Sequence, residues 1–516
     1  MTEPSTKEQH IYRLSTLDQS VSRTFITIAF CFPCANEHVP AATARFLSTI
    51  KKLISHRPEL AGDLRPASSR DGAERGYLEV AVCLNMINNF TATVKNLAGT
   101  TDEEELSYER LSSKRFPADK LESMHLAPLA QKTETSGGKA FAAQLNIISG
   151  GVIAVLQLHH AIADLAGFRT IVSLCSTSAS PRNLTHDYLS QQAVSSSKSR
   201  DLLSDAGGLI PADSVPASQP ASLVFGEAPT SDIATCVMGF NLKLIDETTA
   251  MVNDRFIGPD FLRRKASVRS FHILASILWR AIIRARKASG LLNLMPTESA
   301  YDALPNSKVI VPINIRERMQ PELKATYFGN AIAHGSIRQS IVSLDMPMGV
   351  SEIQATASLV HAAIGDVTER AVHLAIAKAQ QSDYSNNTIT TAATTLTDVV
   401  LTSWSDLLPE EAHLCLGLGE PSFVRKLSGT KPDEGCNIHA RPRTGGIMGG
   451  IWEVTITLAE KAMGALLDDE GVMRFVDYAN GERYVNGRPM DLDAGHQVSL
   501  EDEVSENALS ILNHIL

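Results

Sequence analysis

The 516-residue chain contains no run of about 18 consecutive apolar residues, so no membrane-spanning helix and no membrane partner are expected. Its opening, Met1-Thr-Glu-Pro-Ser-Thr-Lys-Glu-Gln-His10, lacks the apolar centre of a secretory signal, and a cytoplasmic protein is expected. Positive charge is also short: 47 Lys and Arg against 57 Asp and Glu leave a formal charge of −10. A general nucleic-acid binder wants a basic surface, so no nucleic-acid partner is expected. Any polyanionic ligand must be held by a local basic patch instead. A glycine-rich dinucleotide fingerprint and a Gly-x-Ser-x-Gly nucleophile elbow are both missing. Tandem repeats at solenoid periods are missing too. The seven cysteines, Cys31, Cys34, Cys83, Cys175, Cys236, Cys415 and Cys436, are an odd number and read as free thiols. Cys31-Phe-Pro-Cys34 has redox spacing but no helix signal behind it. No second pair completes a zinc site, so no metal is expected.

What is present is an ordinary globular composition, 44% hydrophobic and 20% charged, in a chain long enough for two or more domains. Residues 189–222 are rich in Ser, Ala and Pro and read as a long exposed linker. They divide the chain into a domain over 1–188 and a larger one over 223–516. In the segment 45–54, Phe46, Leu47, Ile50, Leu53 and Ile54 share one helical face, and Leu274, Ile277, Leu278 and Ala281 do the same in 271–283. A third helix is expected through Ser351 to Gln380. Strands are expected at Lys308–Ile313, Asp398–Leu401 and Ile451–Thr457. The class is mixed α/β.

The most informative segment is His159-His160-Ala-Ile-Ala-Asp164-Leu-Ala-Gly167. It follows a predicted hairpin, Leu145 to Leu158, that turns at Ser149-Gly150-Gly151. A histidine at the end of such a strand can reach a cavity wall and take a proton near neutral pH. Spacing favours His160, because the residue four after His159 is Ala163.

The ordered series of motifs resembles the BAHD acyltransferases, fungal branch, similar to trichothecene 3-O-acetyltransferases. The series begins with Leu14-Ser-Thr-Leu-Asp-Gln19 and Pro58-Glu-Leu-Ala-Gly-Asp-Leu64. After His160-x-x-x-Asp164 come Leu278-Trp-Arg280, Asn314-Ile-Arg316, Tyr327-Phe-Gly-Asn330 and Thr402-Ser-Trp404. The likeness spans nearly the whole chain. It implies two chloramphenicol-acetyltransferase-like domains, each a mixed sheet with flanking helices, joined by a crossover linker. It also implies a monomer that moves an acyl group, most simply acetyl, from acyl-CoA to a hydroxyl (or amine) of a small hydroxylated natural product.

By the same resemblance His160 is the general base and Asp164 anchors its loop. Arg316 is the first candidate to pair with Asp164 and Arg280 the second. Thr402 and Trp404 face the thioester carbonyl. Lys265 and Ser267, within the basic cluster 263–269, meet the CoA phosphates, and Arg316 and Ser403 complete the cofactor set. Asn330 either hydrogen-bonds near the base or caps its own turn, with the turn preferred. One segment departs from the family: Cys415-Leu-Gly-Leu-Gly-Glu-Pro421 stands where relatives have Asp-Phe-Gly-Trp-Gly-Lys-Pro. That departure keeps open a second reading, a condensation or cyclisation catalyst or a ligand-binding relative that does not use free acyl-CoA.

Overall fold

The computed structural model describes residues 9–68, 76–99, 106–117, 120–121, 126–129, 138–178, 180–204, 233–255, 268–292, 306–319, 323–324, 326–382, 384, 396–404, 411–427, 435–438, 450–485 and 488–489. A small sheet joins β1 (His10–Arg13), β3 (Asp63–Pro66), β4 (Leu78–Val82) and β6 (Gly138–Lys139) in the order β1-β4-β3-β6. A second sheet joins β2 (Phe25–Pro33), β5 (Thr93–Asn96), β7 (Phe141–Ile148), β8 (Gly151–His159) and β13 (Phe423–Lys426) in the order β13-β2-β8-β7-β5. The third has nine strands: β9 (Ile233–Asn241), β10 (Asn306–Asn314), β11 (Ile332–Ser340), β12 (Val399–Ser403), β14 (Gly435–Ile438), β15 (Ile451–Ala459), β16 (Val476–Ala479), β17 (Glu482–Val485) and β18 (Arg488–Pro489). Its order is β11-β10-β12-β14-β15-β9-β16-β17-β18, with parallel pairing at β10·β12 and β12·β14. The expected mixed α/β class is what the chain adopts.

Two cores follow from these layers. The five-stranded sheet buries Ile28, Phe30, Leu145 and Leu156 against the helices Val39–His56 and Leu165–Ser176. The nine-stranded sheet buries Val309, Val311, Leu401 and Val454 against a layer that includes the helices Ser270–Ala288 and Val350–Gly365. The division between the halves is crossed by the chain itself. Strand β13, late in the sequence, completes the N-terminal sheet by pairing with β2. It is tied back to the nine-stranded sheet by the buried ion pair of Arg425 with Glu453 on β15, at 2.8 and 3.0 Å. Tyr478 donates its hydroxyl to the same carboxylate.

Two expectations are corrected. The start of the 189–222 linker is helix: His186–Asp201 is capped by Thr185 and docks through Leu189, Ala193 and Arg200. Residues 205–222 lie outside the described residues. The single helix over 351–380 is two, Val350–Gly365 and Glu369–Gln381. The Thr368 side chain accepts a bond from the Ala371 N–H, so the chain stops and restarts there. No helix among the described residues is long and apolar enough to cross a membrane.

Candidate active site

Strand β8 ends by pairing His159 with Phe25, and from there the two histidines part. His159 turns inward, 1% exposed, edge-on to Phe25, and its Nδ1 accepts from the Ala161 N–H at 3.1 Å. Burial pushes its pKa down to about 3, so the ring is neutral and structural. His160 is half-buried at the seam between the two cores, and its backbone N–H is held by the Thr24 carbonyl at 2.8 Å. Asp164 then caps the helix Leu165–Ser176, accepting from the Gly167 N–H at 3.0 Å. Gly167 is there for closeness: a Cβ would stand 2.4 Å from that of Ala163.

The group that meets the His160 ring is Asn330, not the Asp164 carboxylate. Asn330 Oδ1 lies 3.1 Å from His160 Nδ1. The amide Nδ2 donates to Asp18 Oδ1 at 2.9 Å and to the His160 carbonyl at 2.8 Å, both pure acceptors. The amide is thereby oriented, and its oxygen can only accept from the ring. Nδ1 therefore carries the proton and Nε2 the lone pair. The preference for Asn330 as a mere turn cap is overturned by this geometry.

Two buried ion pairs set the frame. Arg316 donates to Asp164 through Nη1 at 2.8 Å and Nη2 at 2.9 Å, and Asp164 also accepts from the Ala331 N–H at 2.9 Å. Arg316 spends further bonds on the carbonyls of Tyr327 and Gly329 and on Asn314. A guanidinium so enclosed and committed cannot meet a CoA phosphate, which corrects its place in the cofactor set. Arg280 is ruled out as the Asp164 partner, because it bonds Thr356 and the Met346 carbonyl. The second pair is Asp18 with Arg200, whose Nη2 also holds the carbonyls of Ile162 and Phe328. Asp18 further accepts from the Asn330 N–H at 2.7 Å. The sequence assigns neither member a role, although Asp18 stands in the opening Leu14-Ser-Thr-Leu-Asp-Gln19 motif. Asp18 had a signal in the Ser15-x-x-Asp18 capping box, which the structure shows closed. Arg200 had none, because its helix reads as linker.

Strand alternation sorts the Thr402 segment. Leu401 packs in the helix-side core and so does Ile438, the partner of Ser403. Ser403 shares that parity and turns to the helix layer. Thr402 faces the opposite way, and Trp404, 5% exposed, packs into the N-terminal core together with Ala161, Ile162 and Ala163. Lys265 and Ser267 lie outside the described residues. The departing turn at Cys415 packs on the far end of the helix that Asp164 caps, about 18 Å along it. Gly417, at φ +76°, holds a left-handed conformation that glycine adopts without strain.

Two mixed sheets meeting around a positioned imidazole define a two-body α/β protein with its candidate site at the seam. The chain belongs to the Transferase family, whose model matches residues 2–472. It is similar to the O-acetyltransferase astG of Aspergillus oryzae, 23% identical over 356 residues, 64% of this chain and 70% of that one. It is also similar to trichothecene 3-O-acetyltransferase of Saccharomyces cerevisiae, 23% identical over 416 residues, 76% and 80% of the two chains. Among solved structures, F. graminearum TRI101 complexed with coenzyme A and deoxynivalenol matches with a TM-score of 0.71 and 16% identity. The match covers 90% of this chain and 99% of that one, and at such identity it speaks for the fold.

Proposed function

We propose that the chain is a CoA-dependent O-acyltransferase that moves an acyl group, most simply acetyl, from acyl-CoA to a hydroxyl of a small natural product. The observation that carries the reading is the oriented His160 ring at the seam, with its lone pair on Nε2. In this mechanism Nε2 takes the proton of the acceptor hydroxyl as the oxygen attacks the thioester carbon. The tetrahedral intermediate then collapses, the C–S bond breaks, and the CoA thiolate recovers the proton from the imidazolium. Thr402 and Trp404 supply the hydroxyl and indole N–H for the transient oxyanion. The names of the fungal relatives and the CoA-bound structural neighbours support the donor and the acceptor class.

Thiol release measured with several acyl-CoAs across a panel of alcohols and amines, for wild type and His160→Ala, tests the reading. The variant should lose about 10²–10⁴ in turnover. Full turnover by His160→Ala with a true acceptor rejects His160 as the base.

A further inference from the structure

Two buried carboxylates frame His160, and they act on different groups. Asp164 holds the loop and the helix that follow the histidine, through Arg316 and the N–H groups of Gly167 and Ala331. Asp18 holds the side chain that touches the ring. Its Oδ1 accepts from the backbone N–H of Asn330 at 2.7 Å and from the Asn330 amide Nδ2 at 2.9 Å. Its Oδ2 accepts from the Ser15 N–H at 2.7 Å and from Arg200. Asp18 and Asn330 are fully buried and Arg200 is 3% exposed, so solvent does not compete for these bonds.

Arg200 joins the parts. The helix His186–Asp201 delivers its guanidinium to Asp18, and Nη2 binds the carbonyls of Ile162 and Phe328 at 2.9 and 3.0 Å. Ile162 lies two residues after His160 and Phe328 two before Asn330. One cation therefore ties the histidine loop, the asparagine turn and the carboxylate together.

The charge at position 18 decides how the Asn330 amide stands. Overturned, the amide would set its oxygen against Asp18 Oδ1 and the His160 carbonyl, where Nδ2 now donates at 2.9 and 2.8 Å. It would also present N–H to His160 Nδ1 and drive the ring proton onto Nε2, the atom that must keep its lone pair to act as a base. Two inverted contacts exclude that state in a site closed to solvent. A neutral amide at position 18 does not exclude it. Arg200 and the Ser15 N–H claim its one oxygen, so its NH2 group faces Asn330. There it opposes the native orientation and bonds the overturned one, and the two come close to balance.

We propose that Asp18 is a positioning residue for catalysis: held by Arg200, its carboxylate fixes the Asn330 amide and thereby keeps the His160 proton on Nδ1 and the lone pair on Nε2. The proposal rests on His160 being the base of the acyl transfer. When Nε2 takes the proton of the acceptor hydroxyl, the ring becomes a cation with N–H on both sides. Asn330 Oδ1 goes on accepting from Nδ1, and the negative charge of Asp18 behind the amide strengthens that bond.

The test compares wild type, Asp18→Asn and Asp164→Asn by thermal melt, steady-state kinetics and nitrogen NMR of histidine-labelled protein. Spectra are taken at alkaline pH, where the ring is neutral, and the signal lost in His160→Gln identifies it. Wild type should carry the proton on Nδ1; a wild-type proton on Nε2 overturns the proposal, whether or not any variant folds. Asp18→Asn should show a mixed tautomer and a kcat about tenfold lower, the scale of one charge-assisted hydrogen bond lost. Its KM for donor and acceptor should stay within twofold. Asp164→Asn, a comparably buried lesion whose bonds bypass the Asn330 side chain, should melt lower and keep the Nδ1–H signal. A folded Asp18→Asn with wild-type tautomer or wild-type kcat overturns the role, and so does a tautomer that shifts equally in Asp164→Asn. Wild type that releases no thiol from any acyl-CoA overturns the acyl-transfer reading and this role with it, whereas failure of the Asp18 role alone leaves wild-type turnover intact.

Discussion

Alanine at Asp164 should unfold more than it disarms. The carboxylate accepts four bonds: two from Arg316 at 2.8 and 2.9 Å, and one each from the N–H groups of Gly167 and Ala331. Both members of the pair are 4% exposed at the side chain. Removing one partner leaves a buried guanidinium uncompensated and uncaps the helix that follows His160. Such a loss costs about 3–5 kcal/mol out of a total stability of about 5–15 kcal/mol. For a cooperative unit of 150–250 residues that is a drop of about 6–20 °C in Tm. Asp164→Asn keeps the shape and one acceptor oxygen and should fall between wild type and alanine. The assay is thermal unfolding by circular dichroism, with thiol release on the same samples normalised to the folded fraction. The reasoning is refuted if Asp164→Ala melts with wild type while losing as much turnover as His160→Ala. That result would place the carboxylate in the chemistry.

Acid should weaken the fold before the carboxylates titrate. His159 and His272 are held neutral, chiefly by burial, with pKa values near 3 and 4, whereas in the unfolded chain they protonate near 6.5. Their contribution is intact above pH 6.5 and declines as pH falls from there toward 4, because the unfolded state binds the extra protons. Urea midpoints at pH 7.5, 6 and 5 should decrease, and His272→Gln should flatten the decline; a level midpoint across that range contradicts the assignment. Asn330→Ala removes the acceptor that selects the Nδ1–H tautomer. It should lower kcat at least about tenfold with acceptor KM little changed, since a wrong tautomer costs far more than that in a serine-protease triad. Steady-state kinetics beside a melting curve separate this from loss of fold.

Much of the fold was legible where local chemistry and burial agree. The turn at Gly150-Gly151 needs a left-handed residue, and Gly150 sits at φ +76°. The helix Ser270–Ala288 shows its apolar periodicity in the sequence, although it is buried on every side from His272 to Ile283. The Ser-rich helix His186–Asp201 hid itself, because what holds it is an Arg200 ion pair with Asp18, 182 positions away. The break at 366–368 carries its own signal, Gly365-Asp366 ahead of the capping Thr368, set between two long helix-forming runs.

The sequence by itself determined the mixed α/β class and set His160, not His159, four residues before Asp164. The ordered motifs determined the family. Only the tertiary structure decided what those residues touch. It gave Arg316 to Asp164, Asn330 to the ring of His160, and Asp18 to Asn330, and it turned Ser403 to the helix layer. The physical reason is range. Periodicity and capping act within a few residues and leave a pattern in the chain. The tautomer of His160 is set by bonds between atoms that lie 170 and 312 positions apart in sequence.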